Sequence, residues 1–415
     1  RNIPPQRNYL VAAGLEQALE YLEHVQFSAE NVAFLRQHPI LKQIHPEFFD
    51  YLSHFRFTGD IWAVPEGTIV FPGEPLMRVV APIIEAQLME TYLLATLSYE
   101  TMIASKAARL VTAAQGCSIV DFGARRAHGA AASLLSARAA VIGGCTGTSN
   151  VLAGQMYHLA TYGTQAHSWV MAHEEEAEAF RHFLNTFPDG SVLLVDTYNV
   201  HNAIKKIIAI GQKPSGIRLD SGDLVKDSRW ARRELDRVGW KDVQIFASGD
   251  LDEYKIAKLL ADGAEINAFG VGTALSTPGD APHMNLIYKL VEVERDGKVL
   301  EAAKFSHSKV TYPGSKQIFR YSNASGEFRD DKIALEKESA NGGTPLLIQY
   351  MRGGQRVAAK EPVEKLRERA MDNLAHLPKR YRQIARKANY PVRYSKQLET
   401  MLEKVRRRVS RAALK

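Results

Sequence analysis

The stretch Gly216-Ile-Arg-Leu-Asp-Ser-Gly-Asp223 decides how this chain is read. A short apolar lead-in breaks off into Arg218, Asp220, Ser221, Gly222 and Asp223. A buried strand looks like this where it emerges into a site: charged groups gather at its end, and a glycine lets the backbone turn and approach a ligand. Alone, the stretch reads equally as a loop with a surface salt bridge, because charge runs usually mark solvated faces. Its recurrence along the chain favours a site.

Working outward, apolar strand-like runs fall at 118–122, 139–142, 192–195, 216–219, 243–247 and 266–269. Amphipathic helices separate the later ones. Val200, Ala203, Ile204, Ile207 and Ile208 follow helical spacing, as do Ile256, Leu259 and Leu260, and Leu224, Ala231, Leu235 and Val238 mark another helix. Strand–helix alternation of this kind predicts parallel strands with crossover helices. Each run ends in polar or glycine-rich residues: Asp121-Phe-Gly-Ala-Arg-Arg126, Gly144-Cys-Thr-Gly-Thr-Ser149, Asp196-Thr-Tyr198, Arg218-Leu-Asp220, Ser248-Gly-Asp250 and Gly270-Val-Gly-Thr273. In a parallel barrel all such ends meet on one face, whereas an open doubly wound sheet gathers only a few. Six decorated ends predict a parallel α/β barrel.

The remainder sorts around that unit. Residues 1–57 read as helix, with Leu15, Leu19 and Leu22 on one face, and 58–80 as a small β-rich unit punctuated by Gly59, Pro65, Gly67, Pro72, Gly73 and Pro75. An Ala- and Leu-rich helix over 83–114 links it to the barrel. The expected division is an α+β N-terminal domain with its linking helix (1–114), a catalytic barrel (115–290), and a basic, loop-rich then helical segment (291–415) that packs back on the N-terminal domain. Composition is ordinarily globular, with 45% hydrophobic and 24% charged residues. No apolar run reaches the roughly 18 residues of a membrane helix. Two cysteines, Cys117 and Cys145, make neither a disulfide framework nor a metal cluster, which suits a cytoplasmic, reduced protein. From 360 onward 17 Lys and Arg face 6 Asp and Glu, so the rest of the +7 chain is acidic. The apolar residues at helical spacing in that tail favour a solvated helical cap over a nucleic-acid-binding arm, and the lopsided charge suits a polyanionic small substrate.

The last two strand ends, 247–251 and 269–273, are glycine-rich turns with free backbone N–H groups, which favours phosphate binding by Gly249, Gly270 and Gly272. Together with Asp121-Phe-Gly-Ala-Arg-Arg-Ala, Gly163-Thr-Gln-Ala-His-Ser-Trp, Asp196-Thr-Tyr, Ile217-Arg-Leu-Asp-Ser-Gly-Asp and Ala268-Phe-Gly-Val-Gly-Thr, the chain resembles nicotinate phosphoribosyltransferase over nearly its whole length. That resemblance implies that the parallel α/β barrel is irregular and that the chain is a homodimeric type II phosphoribosyltransferase with shared active sites. Such an enzyme joins nicotinate to phosphoribosyl diphosphate, releases diphosphate, consumes ATP as cosubstrate and needs Mg²⁺ without direct protein ligation. It also implies roles. Phe122 would stack on the pyridine, with Arg125 and Arg218 near its carboxylate or the phosphates. Asp220 and Asp250 would hold ribose hydroxyls, and Asp196 the ribose or Mg²⁺. Ser221, Gly249, Gly270 and Gly272 would take the 5′-phosphate, and Lys304, Lys309 and Lys316 the diphosphate. Ser168 would join the substrate contacts, and His167 would be the histidine phosphorylated by ATP. Ser149 stands where nicotinamide enzymes carry an aspartate, and would favour the acid over the amide unless it merely caps the next helix. The resemblance also implies a tyrosine-bearing N-terminal segment that reaches into the neighbouring subunit's site and would lie ahead of Arg1.

The nearest alternative is nicotinamide phosphoribosyltransferase. A Schiff-base aldolase would need a lysine at the end of a barrel strand, and none stands there.

Overall fold

The computed structural model describes residues 2–306, 310–339 and 341–413. Six parallel strands form the central sheet: β1 (Ser118–Asp121), β2 (Gly147–Thr148), β3 (Val192–Leu194), β4 (Gly216–Leu219), β5 (Gln244–Ala247) and β6 (Ala268–Val271), in the order β2-β1-β6-β5-β4-β3. Their ends are level. Asp121 pairs with both Val271 and Thr148, and Leu219 with Ala247. Ile119, Leu193, Ile217, Ile245 and Phe269 are buried, as near-continuous apolar runs in a parallel sheet should be. Between β2 and β3 the segment 160–165 bonds to both strands. Thr148 N donates to Ala160 O at 3.0 Å, Tyr162 N to Thr148 O at 2.9 Å, and Gln165 N to Val192 O at 3.1 Å.

Polar strand ends also start helices. Asn199, Asp223 and Asp252 cap Val200–Ile210, Leu224–Arg237 and Glu253–Ala261 with side-chain oxygens that accept helix N–H groups, which satisfies donors the first turn leaves unpaired.

Two expectations are corrected. The run 139–142 is no strand: it is the end of helix Ala130–Ile142, and the second strand is the two-residue Gly147–Thr148. The last turns of that helix, Ser136 to Ile142, are entirely buried, so no polar face marks the helical period, and a short apolar run cannot be typed by periodicity alone. The region 291–356 is strand-rich rather than loop-rich. Lys316–Ser322 and Phe328–Leu335 pair antiparallel, and Glu292–Arg295 pairs with Lys298–Glu301 across Asp296-Gly297, both at positive φ. An Asp-Gly between alternating residues is the hairpin signal that was available there.

The C-terminal part meets the N-terminal part directly. Ile348–Arg352 pairs with Asp60–Ala63, which pairs in turn with Met77–Val80. Asn8 Nδ2 donates to the carbonyls of Gln383 and Arg386, and Phe71 stacks on Tyr390 with centroids 3.7 Å apart.

Where the long helix Glu90–Ala113 meets Ala130–Ile142, two buried carboxyls share one guanidinium. Arg138 Nη1 donates to Glu66 at 2.8 Å and to Glu100 at 3.1 Å, and its Nη2 donates to Glu66 at 2.6 Å. One carboxyl is in excess. Burial pushes Glu100 up to about 8, Arg138 opposing and Glu66 adding to the shift. The native state therefore keeps a proton that the unfolded chain releases above its ordinary value of 4.5, so this group's contribution to stability falls as pH rises toward 8. Glu100→Gln, which mimics the protonated form, is expected to gain on the wild type in thermal midpoint between pH 5 and pH 8. A constant difference across that range would show that Glu100 is ionised in the fold.

Candidate active site

The carboxyl ends of β3 and β4 are stitched by one carboxylate. Asp196 Oδ2 accepts the backbone N–H of Asp220 at 3.1 Å and the Ser221 hydroxyl. Its Oδ1 is buried without a hydrogen-bond partner. Arg218 Nη1 donates to Thr164 Oγ1 at 2.7 Å, while its buried Nε has no partner. Burial lowers the pKa of this guanidinium, Asp220 and Asp196 acting the other way and Arg125 reinforcing the fall; it stays charged. Asp220 Oδ1 accepts from Ser248 on β5's end, and its Oδ2 lies 3.6 Å from His167 Nε2. His167 opens the short helix His167–Met171, and its Nδ1 sits 3.2 Å from Thr197 Oγ1. Asp196, Arg218, Asp220, Ser221 and His167 thus form one cluster, with exposed Ser168 beside it.

On the β1 side the buried Asp121 accepts from Gly123 N at 2.8 Å and from Thr148 Oγ1 at 2.7 Å, which fixes the turn that presents Phe122. Burial raises its pKa, against those two bonds. Phe122 stacks on Phe246 with centroids 5.5 Å apart. The open side of Gly270 faces these rings. A Cβ there would come within 2.5 Å of Phe122 and 2.9 Å of Phe246, so the missing side chain makes room for the aromatic pair. Arg125 is exposed on the turn 124–126. Ser149 donates its N–H to Asp121 O at 2.8 Å, and the cap of the next helix is Asn150, not Ser149.

After β5, Gly249 adopts φ +100° and Asp250 φ +48°, a conformation that costs a non-glycine residue energy. After β6, Gly272 leads into the short helix Thr273–Ser276. Lys316 Nζ donates to the carbonyls of Tyr312 and Gly314, both at 2.7 Å, and burial lowers its pKa to about 8. Lys304 is exposed, and Lys309 lies outside the described residues. Among the described residues no three His, Cys, Asp or Glu side chains are grouped to hold a metal ion.

Residues 1–98 match the nicotinate phosphoribosyltransferase (NAPRTase) N-terminal domain, 117–331 the nicotinate phosphoribosyltransferase (NAPRTase) family and 340–402 the nicotinate phosphoribosyltransferase C-terminal domain. The chain belongs to the nicotinate phosphoribosyltransferase family. A nicotinate phosphoribosyltransferase (pncB2) of Mycobacterium tuberculosis is 42% identical over 414 residues, which cover 98% of this chain and 87% of that protein. The Bacillus subtilis nicotinate phosphoribosyltransferase is 42% identical over 351 residues, 82% of this chain and 71% of that one. The human nicotinic acid phosphoribosyltransferase structure superposes with a TM-score of 0.81 at 26% identity, covering 98% of this chain and 94% of that chain. As a member of the nicotinate phosphoribosyltransferase family the protein is an enzyme.

Sequence reading missed the residues that hold the nicotinate phosphoribosyltransferase cluster in place: Thr148, Thr164, Thr197 and Ser248, and Asp121 as the anchor of the Phe122 turn. Each lies within a quoted motif without having been given a role, and a hydroxyl next to a strand-end acid or base was the available signal. Gly249 makes the tightest backbone approach of the site, since a Cβ there would overlap the carbonyl oxygen of Asp220. Gly249→Ala is therefore expected to destabilise the protein by about 1–3 kcal/mol through strain at positive φ, read as a lowered denaturant midpoint. An unchanged midpoint would show that the loop relaxes freely away from Asp220.

Proposed function

We propose that this enzyme joins the ring nitrogen of nicotinate to the anomeric carbon of phosphoribosyl diphosphate, forms nicotinate mononucleotide and releases diphosphate, in NAD biosynthesis. The observation that carries this reading is the pair of orphaned atoms at the β3 and β4 ends. A buried guanidinium Nε and a buried carboxylate oxygen, both without protein partners, are costly unless a ligand pairs with them. An anionic ring carboxylate suits Arg218, with Arg125 adding charge from the surface. A sugar hydroxyl or a substrate-bound cation suits Asp196.

The transition state resembles a ribosyl oxocarbenium ion, so the carboxylates of Asp220 and Asp250 stabilise the cation while they hold its hydroxyls. Ser221, Gly249 and Gly272 receive the 5′-phosphate, and Gly270 gives the Phe122 ring the room it needs to lie against the pyridine. Mg²⁺ would neutralise the diphosphate leaving group, and Asp196 would support it from nearby without ligating it directly. Lys304 and Lys309 are the lysines for the diphosphate. Ser149 places no charge against the nicotinate carboxylate, which favours acid over amide. ATP is the cosubstrate. Its γ-phosphoryl group passes to His167 with release of ADP, and hydrolysis of that phosphate drives product release. The imidazole stands between Thr197 and Asp220, within the cluster that meets the sugar.

The same reading covers the architecture. The segment 160–165, bonded to β2 and β3, supports closure of the sheet into an irregular barrel over 115–290. The pairing of Ile348–Arg352 with Asp60–Ala63 supports a domain over 1–114 completed by 291–415. Val151, Leu152 and Met156 are 74%, 51% and 52% exposed on the helix after Asn150, which supports a homodimer formed beside the site. The free cysteines suit a cytoplasmic enzyme.

Diphosphate release is expected with nicotinate and not with nicotinamide or quinolinate, given phosphoribosyl diphosphate and Mg²⁺, and ATP should stimulate it. Preference for nicotinamide would overturn the reading. Arg218→Ala should lower kcat/KM for nicotinate by about ten- to a hundredfold, the worth of a charge-assisted contact of roughly 1.5–3 kcal/mol; wild-type kinetics would remove Arg218 from the carboxylate. With γ-labelled ATP, acid-labile and alkali-stable label should appear on the protein. If His167→Asn still takes up that label, another residue carries the phosphate.

A further inference from the structure

The loops after β5 and β6 are both braced from behind by one lysine. The first runs from Ser248 to Asp252, which caps helix Glu253–Ala261 by accepting the N–H groups of Tyr254 and Lys255 at 2.9 and 2.8 Å. Glu253, the first helical residue, is fully buried, with its carboxylate aimed at the long helix Glu90–Ala113. Arg109 Nε donates to Glu253 Oε1 at 2.8 Å, and Lys106 Nζ lies 2.6 Å from Oε2 as an ion pair. The second loop leaves β6 at Gly272 and reaches Asp280, whose Oδ1 accepts from the same Lys106 Nζ at 3.0 Å and whose Oδ2 accepts from Arg7 at 2.6 Å. Lys106 is 3% exposed.

A buried ammonium gives up its hydration, so it holds its carboxylates closely, and removal of one member leaves a buried charge uncompensated. Burial alone would raise both carboxyl pKa values. Arg7 and Lys106 outweigh it at Asp280, which is held at about 2, and Lys106 with Arg109 outweigh it at Glu253, which is held below the ordinary value. Both carboxylates of the strut are therefore ionised throughout the neutral range. It spans two loops with different neighbours at their strand ends: Ser248 bonds Asp220 at the start of the first, and Phe122 N donates to Val271 O at 2.9 Å on the strand that leads into the second.

We propose that Lys106 is a positioning residue that sets the separation of these two loops, and with it the fit of the cradle that receives the 5′-phosphate of phosphoribosyl diphosphate. The proposal rests on the reading of Gly249 and Gly272 as phosphate contacts. It also accounts for the positive φ of Asp250, since a strained backbone persists only where its surroundings hold it at both ends. Lys106 touches no substrate. It acts through Glu253 and Asp280.

Lys106→Met keeps the stem and removes the charge. KM for phosphoribosyl diphosphate is expected to rise by about tenfold, while kcat and KM for nicotinate stay within about twofold. A general loss of packing would move both KM values together, and that outcome, or an unchanged KM for phosphoribosyl diphosphate, overturns the proposal. Should Lys106→Met fail to fold, Asp280→Asn decides. Its side chain is 23% exposed and its amide still bonds Arg7 or Lys106, so the fold is retained, and KM for phosphoribosyl diphosphate alone should rise about threefold. No rise overturns the proposal. Gly272→Ala separates the proposal from the reading beneath it. If this variant leaves KM for phosphoribosyl diphosphate unchanged, the phosphate cradle itself is misplaced and the proposal falls with it. If Gly272→Ala weakens that substrate while Lys106→Met does not, the cradle stands and the strut alone is refuted.

Discussion

Because the six central strands run the same way with their last residues level, every residue that follows a strand is delivered to one edge of the sheet. Asp121 pairs with Thr148 and Val271, and Leu219 with Ala247, so the Phe122 turn, Ser149, Asp220, Ser248 and Gly272 leave the sheet side by side. No side chain has to reach far. The strand-end cluster is a consequence of register, and a slip by one residue would turn the alternating side chains to the wrong faces and dissolve it.

Register alone brings backbone ends together; short polar bonds between neighbouring ends then set the side chains. Asp196 ties the turn after β4, Ser248 holds Asp220, Thr164 holds Arg218, and Thr148 holds Asp121. These partners are hydroxyls and backbone amides, not opposite charges. Asp196 Oδ1 and Arg218 Nε are left without a protein partner. Opposite charges are used instead where nothing else is to be bound, in the buried clusters of Arg138 with Glu66 and Glu100, and of Lys106 and Arg109 with Glu253. The protein thus separates two uses of ionisable residues: paired and buried behind the sheet, half-paired at its open edge.

The site was legible in the sequence to the extent that chemistry follows strands immediately. Arg218, Asp220, Asp196 and His167 were named from the motifs and lie together. Lys316 was named from the same resemblance and is bound into its own turn, because a lysine in a loop gives no sign of which carbonyls its chain folds over. Gly270 was read as a phosphate contact and faces two aromatic rings, because a sequence shows that a side chain is missing without showing what fills the space.

The sequence by itself determined the family, the alternation of strands and helices, and the run of polar residues after each strand. These are local properties, carried by periodicity and by residues adjacent in the chain. Only the tertiary structure decided that 139–142 is helix and Gly147–Thr148 the strand, that Asn150 rather than Ser149 caps, and that Lys106 joins Glu253 to Asp280 across more than a hundred residues. Each has its own physical reason. A fully buried helix has no polar face to reveal its period, a cap is settled by backbone angles, and a buried ion pair is chosen by which helix packs on which loop.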